Sequence, residues 1–237
     1  MNERTVCKKG QDETLKKRFA LLASTNGSVA RTVNAMAPAG SFRLDLVVSD
    51  RECGALSFGR EHGIPTRLLK HKDSHDFSRS LLDLLRGELI DYVYIFFSRL
   101  LHGPLLDEYA GRLINFHPSL LPACPGLRGF EDTIESGALI AGSTVHFVDA
   151  GMDTGEKILQ TFTTTHQRVI HVIRHEIFAQ QCAALMDTHL RLDKGLPLLP
   201  KDRPCGSTQC GFVPEVAEIA FDIYRAVAKR GSPSGNV

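Results

Sequence analysis

The chain has almost no excess of charge: 28 Lys and Arg stand against 27 Asp and Glu, a formal +1 over 237 residues. A nucleic-acid surface held by bulk electrostatics is therefore not expected, because such partners demand a strongly basic face. No apolar run reaches transmembrane length, and Met1 to Arg18 is polar and charged, without a signal-peptide core. The expectation is no membrane association and a cytoplasmic setting. The six cysteines (Cys7, Cys53, Cys124, Cys182, Cys205, Cys210) are scattered, and only Cys205 and Cys210 lie close, with no second pair to complete a zinc site. Reduced thiols are the expected state in that compartment. His171 and His175 stand four apart with His166 nearby, but no glutamate occupies the intervening metalloprotease position, so no metal is expected. Internal repeats and low-complexity domains are absent too.

What is present suits one sizeable packed domain, since 43% of the residues are hydrophobic. Phe19 to Ser24 reads as a buried strand, followed by the turn Thr25-Asn26-Gly27-Ser28 and a helix from Val29 to Met36. Strands at Leu44 to Ser49 and Tyr92 to Phe97 alternate with helices near Leu56 to His62 and Ser78 to Arg86, the rhythm of a parallel sheet covered by helices. After a strand at Arg112 to His117 the pattern changes. Strands Ile140 to Val148 and Lys157 to Thr163, joined by a glycine-containing turn, suggest an antiparallel extension, and a long helix runs from about Val169 to Leu192. The expected organisation is a flexible tail over 1–17, one α/β domain over 18–200 with a Rossmann-like, mostly parallel sheet, and a loop-and-helix extension over 201–237. In that extension Pro204 to Gly211 reads as a loop and Val213 to Ala228 as an amphipathic helix with Val216, Ile219, Ala220 and Ile223 on one face. Packing on the domain and self-association as a homodimer are both open for it.

The most informative stretch is Asn115-Phe116-His117-Pro118-Ser119-Leu120-Leu121-Pro122. On a strand, Asn115 and His117 share a face, because side chains alternate with a period of two. A carboxylate candidate, Asp153, follows in the turn Asp149-Ala150-Gly151-Met152-Asp153-Thr154-Gly155. Asn115 can donate a hydrogen bond to an oxygen gaining charge, His117 can exchange or stabilise a proton, and Asp153 can orient that imidazole. No protein nucleophile is required if an amine brings its own lone pair to an acyl carbon. His146 alternates with Thr144 on the neighbouring strand, and either supports the site from one layer back or is a satisfied core histidine.

Asn-x-His-Pro-Ser-Leu-Leu-Pro, followed by Pro125-Gly126-Leu127, Gly142 to Val148 and Asp153-Thr154-Gly155, resembles the folate-dependent formyltransferases, most of all the phosphoribosylglycinamide formyltransferases of purine biosynthesis. The likeness covers roughly Phe19 to Pro200. It implies the formyltransferase fold, 10-formyltetrahydrofolate as donor, a small-molecule amine as acceptor, and catalysis by Asn115, His117 and Asp153, with Thr144 at the place of a hydroxyl that helps hold an ordered water. By the same resemblance Arg99, Leu100, Leu101, Asp149, Ala150 and Gly151 contact the folate. Asn26, Gly27 and Ser28 cradle a substrate phosphate, and Glu176 bonds ribose hydroxyls. From the residues alone, Asn26-Gly27-Ser28 is equally a tight turn with Ser28 as N-cap, and Glu176 equally a solvated helix residue.

Two departures bear on the acceptor. Val29 stands where purine-pathway relatives usually carry asparagine, and Phe96 and Ser98 stand where relatives usually carry glycine and methionine. A benzyl group where backbone normally approaches a ligand must enter the core or reshape the cleft. Alternative acceptors are therefore kept: N-hydroxyornithine of a siderophore pathway, or an amino sugar. Formyl-folate hydrolases of the family carry a second histidine where this chain has Pro118, which disfavours water as the acceptor. A noncatalytic folate-binding protein would not need the intact trio.

Overall fold

The structure, a computed structural model, describes residues 16–198 and 214–230. Its elements in chain order are β1 (Phe19–Ala23), α1 (Ser28–Met36), β2 (Leu46–Ser49), α2 (Gly54–Glu61), β3 (Thr66–Leu68), α3 (Ser74–Gly87), β4 (Tyr92–Phe96), α4 (Pro104–Glu108), β5 (Leu113–His117), α5 (Gly129–Glu135), β6 (Ile140–Phe147), β7 (Lys157–Thr164), α6 (Ile170–Asp193) and α7 (Pro214–Arg230). The strands form one seven-stranded sheet in the order β3-β2-β1-β4-β5-β6-β7. Pairing is parallel from β3 through β5 and antiparallel from β5 to β6 and β6 to β7. The expected architecture, a parallel sheet with an antiparallel extension after the strand that carries Asn115 and His117, is the observed one.

The sequence of β1, Phe-Ala-Leu-Leu-Ala, is buried along its whole length, as a central parallel strand covered on both faces should be. Phe19, Leu21 and Ala23 join the core shared with α1, α2 and α6, while Ala20 and Leu22 join the core shared with α3. Helix α6 has no solvated stripe over its second half, where Ala179 and Cys182 to Leu192 are all buried. Helix α7 covers part of it: Ile223 and Val227 enter the same core, and the Val227 carbonyl lies 2.7 Å from Nε2 of His175. Of the expected apolar face on this helix, Ile219 packs partly buried and Ile223 fully, whereas the side chains of Val216 and Ala220 lie outside the described residues. The expected loop Pro204 to Gly211 also lies outside them.

Several boundaries move for identifiable reasons. α3 starts four residues before the expected Ser78, because the Asp73 carboxylate accepts the backbone N–H groups of His75 and Asp76 at 2.8 and 3.0 Å and so caps the helix there. The cap of α1 is Gly27 rather than Ser28: Gly27 has φ 62 and no side-chain cap bond, and Ser28 is the first helical residue. That left-handed conformation suits glycine, and an added Cβ would meet the Cβ of Ala55 at 3.0 Å. Three short elements, β3, α4 and α5, lie in segments with no expected structure. Among the described residues no helix is long and apolar enough to cross a membrane, and no group of three or more metal-ligating side chains is found.

Candidate active site

β5 is the seam of the sheet, with a parallel neighbour in β4 and an antiparallel one in β6. Its register sets Ile95 beside Asn115 on one side, and His146 beside Asn115 and Thr144 beside His117 on the other. Alternation then turns Asn115 and His117 to one face while Ile114 and Phe116 enter the core on the other. His146 thus stands directly across from Asn115, with 3.0 Å between Asn115 Nδ2 and His146 Nε2. The Nδ1 atom of His146 lies 2.8 Å from the Phe147 carbonyl, so a single ring proton belongs on Nδ1 and leaves Nε2 to accept from Asn115. Nε2 also lies 3.5 Å from Asp153 Oδ1, a contact that a second ring proton would turn into a donated bond. The shorter distance favours the Asn115 bond.

The turn after β6 brings Asp153 to this pair. Its shape is fixed by Asp149, whose carboxylate accepts the Gly151 N–H at 3.1 Å and the Thr154 hydroxyl at 2.7 Å. Asp153 itself sits at φ 55, a left-handed conformation that costs a residue with a side chain about 1 kcal/mol or more. Its Oδ2 accepts the Gly126 N–H at 2.7 Å and lies 3.4 Å from His117 Nδ1, while Oδ1 accepts from Asn115 Nδ2 at 3.4 Å. The His146 ring, which donates to the carboxylate when its Nε2 carries a proton, the Gly126 N–H and the His117 ring together pull the Asp153 carboxyl down to about 2, against the opposing effect of burial. Asp153 is therefore an anion throughout the physiological range.

The His-Pro-Ser-Leu-Leu-Pro segment folds back over the seam because β6 and β7 supply its partners. Ser143 donates to the His117 carbonyl at 2.9 Å, and Thr144 donates to the Ser119 carbonyl at 2.7 Å while accepting the Leu121 N–H at 3.0 Å. Gln160 donates to both the Leu121 carbonyl and the Thr144 hydroxyl at 2.9 Å. The Thr144 hydroxyl, expected to help hold water, is thus bonded on all sides by protein. At the far end of the segment the Cys124 carbonyl meets His117 Nε2 at 2.9 Å and the Ser119 hydroxyl at 3.1 Å. Both ring nitrogens of His117 accordingly face oxygen acceptors, an arrangement that a ring protonated on each nitrogen satisfies in full.

Three contributors here were not singled out from sequence: the Cys124 carbonyl, the Gly126 N–H and Gly129. The first two act through backbone, which side-chain patterns do not reveal. Gly129 leaves room for the imidazole, since an added Cβ would lie 2.6 Å from His117 Nε2. Gly129→Ala is expected to displace the ring and lower kcat by about 10²-fold with a small change in thermal midpoint. Steady-state kinetics beside a melting curve checks this, and an alanine variant at full activity would show that the ring position is uncritical.

The trio opens on a cleft of about 550 Å³, a volume suited to a small organic ligand. Of the residues expected to contact the donor, Arg99, Leu100, Leu101, Asp149 and Gly151 line this cleft, whereas Ala150, in the same turn, does not. The Arg99 guanidinium is turned to the carbonyls of His71 and Lys72, both at 2.8 Å, and so ties down the loop ahead of α3. The lining also includes Thr25, Phe96, Phe116 and Gln181, but not Asn26, Gly27, Ser28 or Glu176. Glu176 is held by Arg168 at 2.5 Å and by the Tyr224 hydroxyl of α7, which donates to it at 3.1 Å. Val29 is buried in the core, and Phe96 lies flat on Phe116 with ring centroids 4.9 Å apart.

Residues 17–175 match the family model described as formyl transferase. The phosphoribosylglycinamide formyltransferase of Bacillus subtilis is 30% identical over 75% of this chain and 99% of its own length. The human trifunctional purine biosynthetic protein adenosine-3 is 36% identical over 70% of this chain, which spans 18% of that protein. Among solved structures, the phosphoribosylglycinamide formyltransferase of Bacillus halodurans superposes with a TM-score of 0.67 at 29% identity, covering 74% of this chain and 95% of that one. That of Anaplasma phagocytophilum gives a TM-score of 0.71 at 25% identity, covering 83% and 98%. With an amide, an imidazole and an ionised carboxylate gathered at one end of a cleft on this sheet, and with two thirds of the sequence matched, the chain belongs to the formyl transferase family, enzymes that move a formyl group from 10-formyltetrahydrofolate to an acceptor.

Proposed function

We propose that the chain transfers the formyl group of 10-formyltetrahydrofolate to the amine of a small acceptor, with phosphoribosylglycinamide the leading candidate. The observation that carries this reading is the Asp153 carboxylate, which stands within 3.4 Å of His117 Nδ1 and of Asn115 Nδ2 beside an open cleft. The acceptor's neutral amine attacks the formyl carbon, and its C–N bond forms as the carbonyl oxygen takes up negative charge. Asn115 Nδ2 keeps its bond to His146 and turns the N–H of its longer, 3.4 Å contact with Asp153 to that oxygen, and a positively charged His117 ring stabilises it by charge. Asp153, ionised, faces Nδ1 of the ring and holds its orientation. Collapse breaks the bond from the formyl carbon to N10 of the folate, and the amine's proton ends on that nitrogen, so formylated acceptor and tetrahydrofolate leave.

Phe96 and Val29 favour a second reading with the same chemistry and a different amine, because both remove polarity or room on the acceptor side. The test is incubation with 10-formyltetrahydrofolate and a panel of phosphoribosylglycinamide, N-hydroxyornithine and amino-sugar nucleotides, following tetrahydrofolate release. Release with phosphoribosylglycinamide is expected. Release at the same rate with water alone would replace transfer by hydrolysis.

A further inference from the structure

The cleft lining runs over the ends of three adjacent strands, with Thr25 after β1, Phe96 at the end of β4 and His117 at the end of β5. β4 lies between β1 and β5 in the sheet, so the end of β4 separates the turn after β1 from Asn115 and His117 on β5. Strands sit about 4.8 Å apart, and a ligand reaching from the first turn to β5 must cover about 10 Å over the end of β4. The residue at that crossing is Phe96. Register pairs it with Ala23, the last residue of β1, and its carbonyl accepts the Ser24 N–H at 3.2 Å. On the other side its ring lies on that of Phe116 with 9° between the planes, and Phe116 in turn meets the buried Tyr94 ring at 71°. The ring is therefore braced from below and beside, and it lines the cleft.

We infer that Phe96 is the specificity-determining residue of the acceptor half: its ring fills the crossing between the Asn26–Ser28 turn and Asn115, and selects against acceptors that must be anchored at both. Val29 and Glu176 work in the same direction. The first side chain is buried, and the second is engaged by Arg168 and Tyr224, so this end offers fewer free polar groups to a phosphoribosyl moiety. Phosphoribosylglycinamide is then accepted with a raised KM, whereas a compact or flat amine that lies against the Phe96–Phe116 pair escapes this penalty. This rests on the formyl-transfer reading above, with the phosphate of a phosphoribosyl acceptor at the Asn26–Ser28 turn.

The test uses the full chain and its Phe96→Gly and Phe96→Ala variants, with 10-formyltetrahydrofolate as donor and phosphoribosylglycinamide as acceptor. Opening the crossing is expected to lower KM for phosphoribosylglycinamide about tenfold, with kcat changed far less and KM for the donor unchanged. Calorimetric titration of phosphoribosylglycinamide without donor should show the same gain in affinity. Melting curves establish that each variant is folded, and the alanine variant, which keeps a Cβ against Phe116, answers if the glycine variant unfolds. An unchanged or raised KM in a folded variant overturns the inference, as does a donor KM that falls in step. Absence of transfer in all three chains to every amine of the panel above would overturn the formyl-transfer reading and this inference together, whereas transfer to phosphoribosylglycinamide with an unaltered KM sinks this inference alone.

Discussion

Asn115→Ala is expected to lower kcat by about 10²- to 10³-fold, the usual cost of removing one donor to a developing oxyanion. The loss should fall on kcat and not on the KM of either substrate, because Nδ2 meets the formyl oxygen fully only when that oxygen carries charge. Asn115 is half-buried in the middle of β5, and among the described residues its amide bonds only His146 and Asp153, so the sheet should survive its truncation. Initial-rate kinetics beside a melting curve checks both points. A variant that keeps most of its kcat would remove Asn115 from the chemistry and leave it a structural partner of His146.

The second large effect is at Asp153. Alanine there leaves His117 Nδ1, His146 Nε2, Asn115 Nδ2 and the Gly126 N–H facing a void, and turnover is expected to fall by about 10²- to 10⁴-fold. Asparagine is the sharper variant, since it tolerates φ 55 and keeps one acceptor oxygen while losing the charge. It separates electrostatics from shape. The charge also carries a pH signature. The folded carboxyl titrates at about 2 and the unfolded one near 3.8, so between these values the unfolded chain binds the proton and the folded chain does not. The stabilisation is present above about pH 4 and lost as pH falls through about 2, an effect on the order of 2 kcal/mol for a side chain only 14% exposed. Urea unfolding at pH 7, 4 and 2.5 should show the wild type losing this increment on acidification and Asp153→Asn lacking it throughout. Parallel losses in both chains would place the acid sensitivity elsewhere.

The long elements were legible because their residues state their environment. Phe19 to Ala23 and Tyr92 to Phe96 are unbroken apolar runs, as strands covered on both faces require, and the change of rhythm after His117 marks where the sheet turns antiparallel. β3, α4 and α5, at three, five and seven residues, are too short for any periodicity to emerge. At the site, alternation placed Asn115 and His117 together, but no local pattern tells that Asp153 returns to them from 36 residues further on. That came from the resemblance to a family, and the structure supplies the distances. The Cys124 carbonyl and the Gly126 N–H escaped because backbone groups have no letter of their own. Glu176 shows the opposite failure: its position on α6 was legible, whereas its engagement by Tyr224 depends on α7 packing back along α6, which no short-range pattern encodes.

The most direct measurement is a crystal structure of the chain with a non-transferring analogue of the formyl donor. The formyl oxygen should lie within about 3.2 Å of Asn115 Nδ2, with His117 and Asp153 still in contact and the pterin seated against Arg99 to Leu101. A donor analogue bound with its formyl group pointing away from Asn115, or seated outside this cleft altogether, would contradict the account.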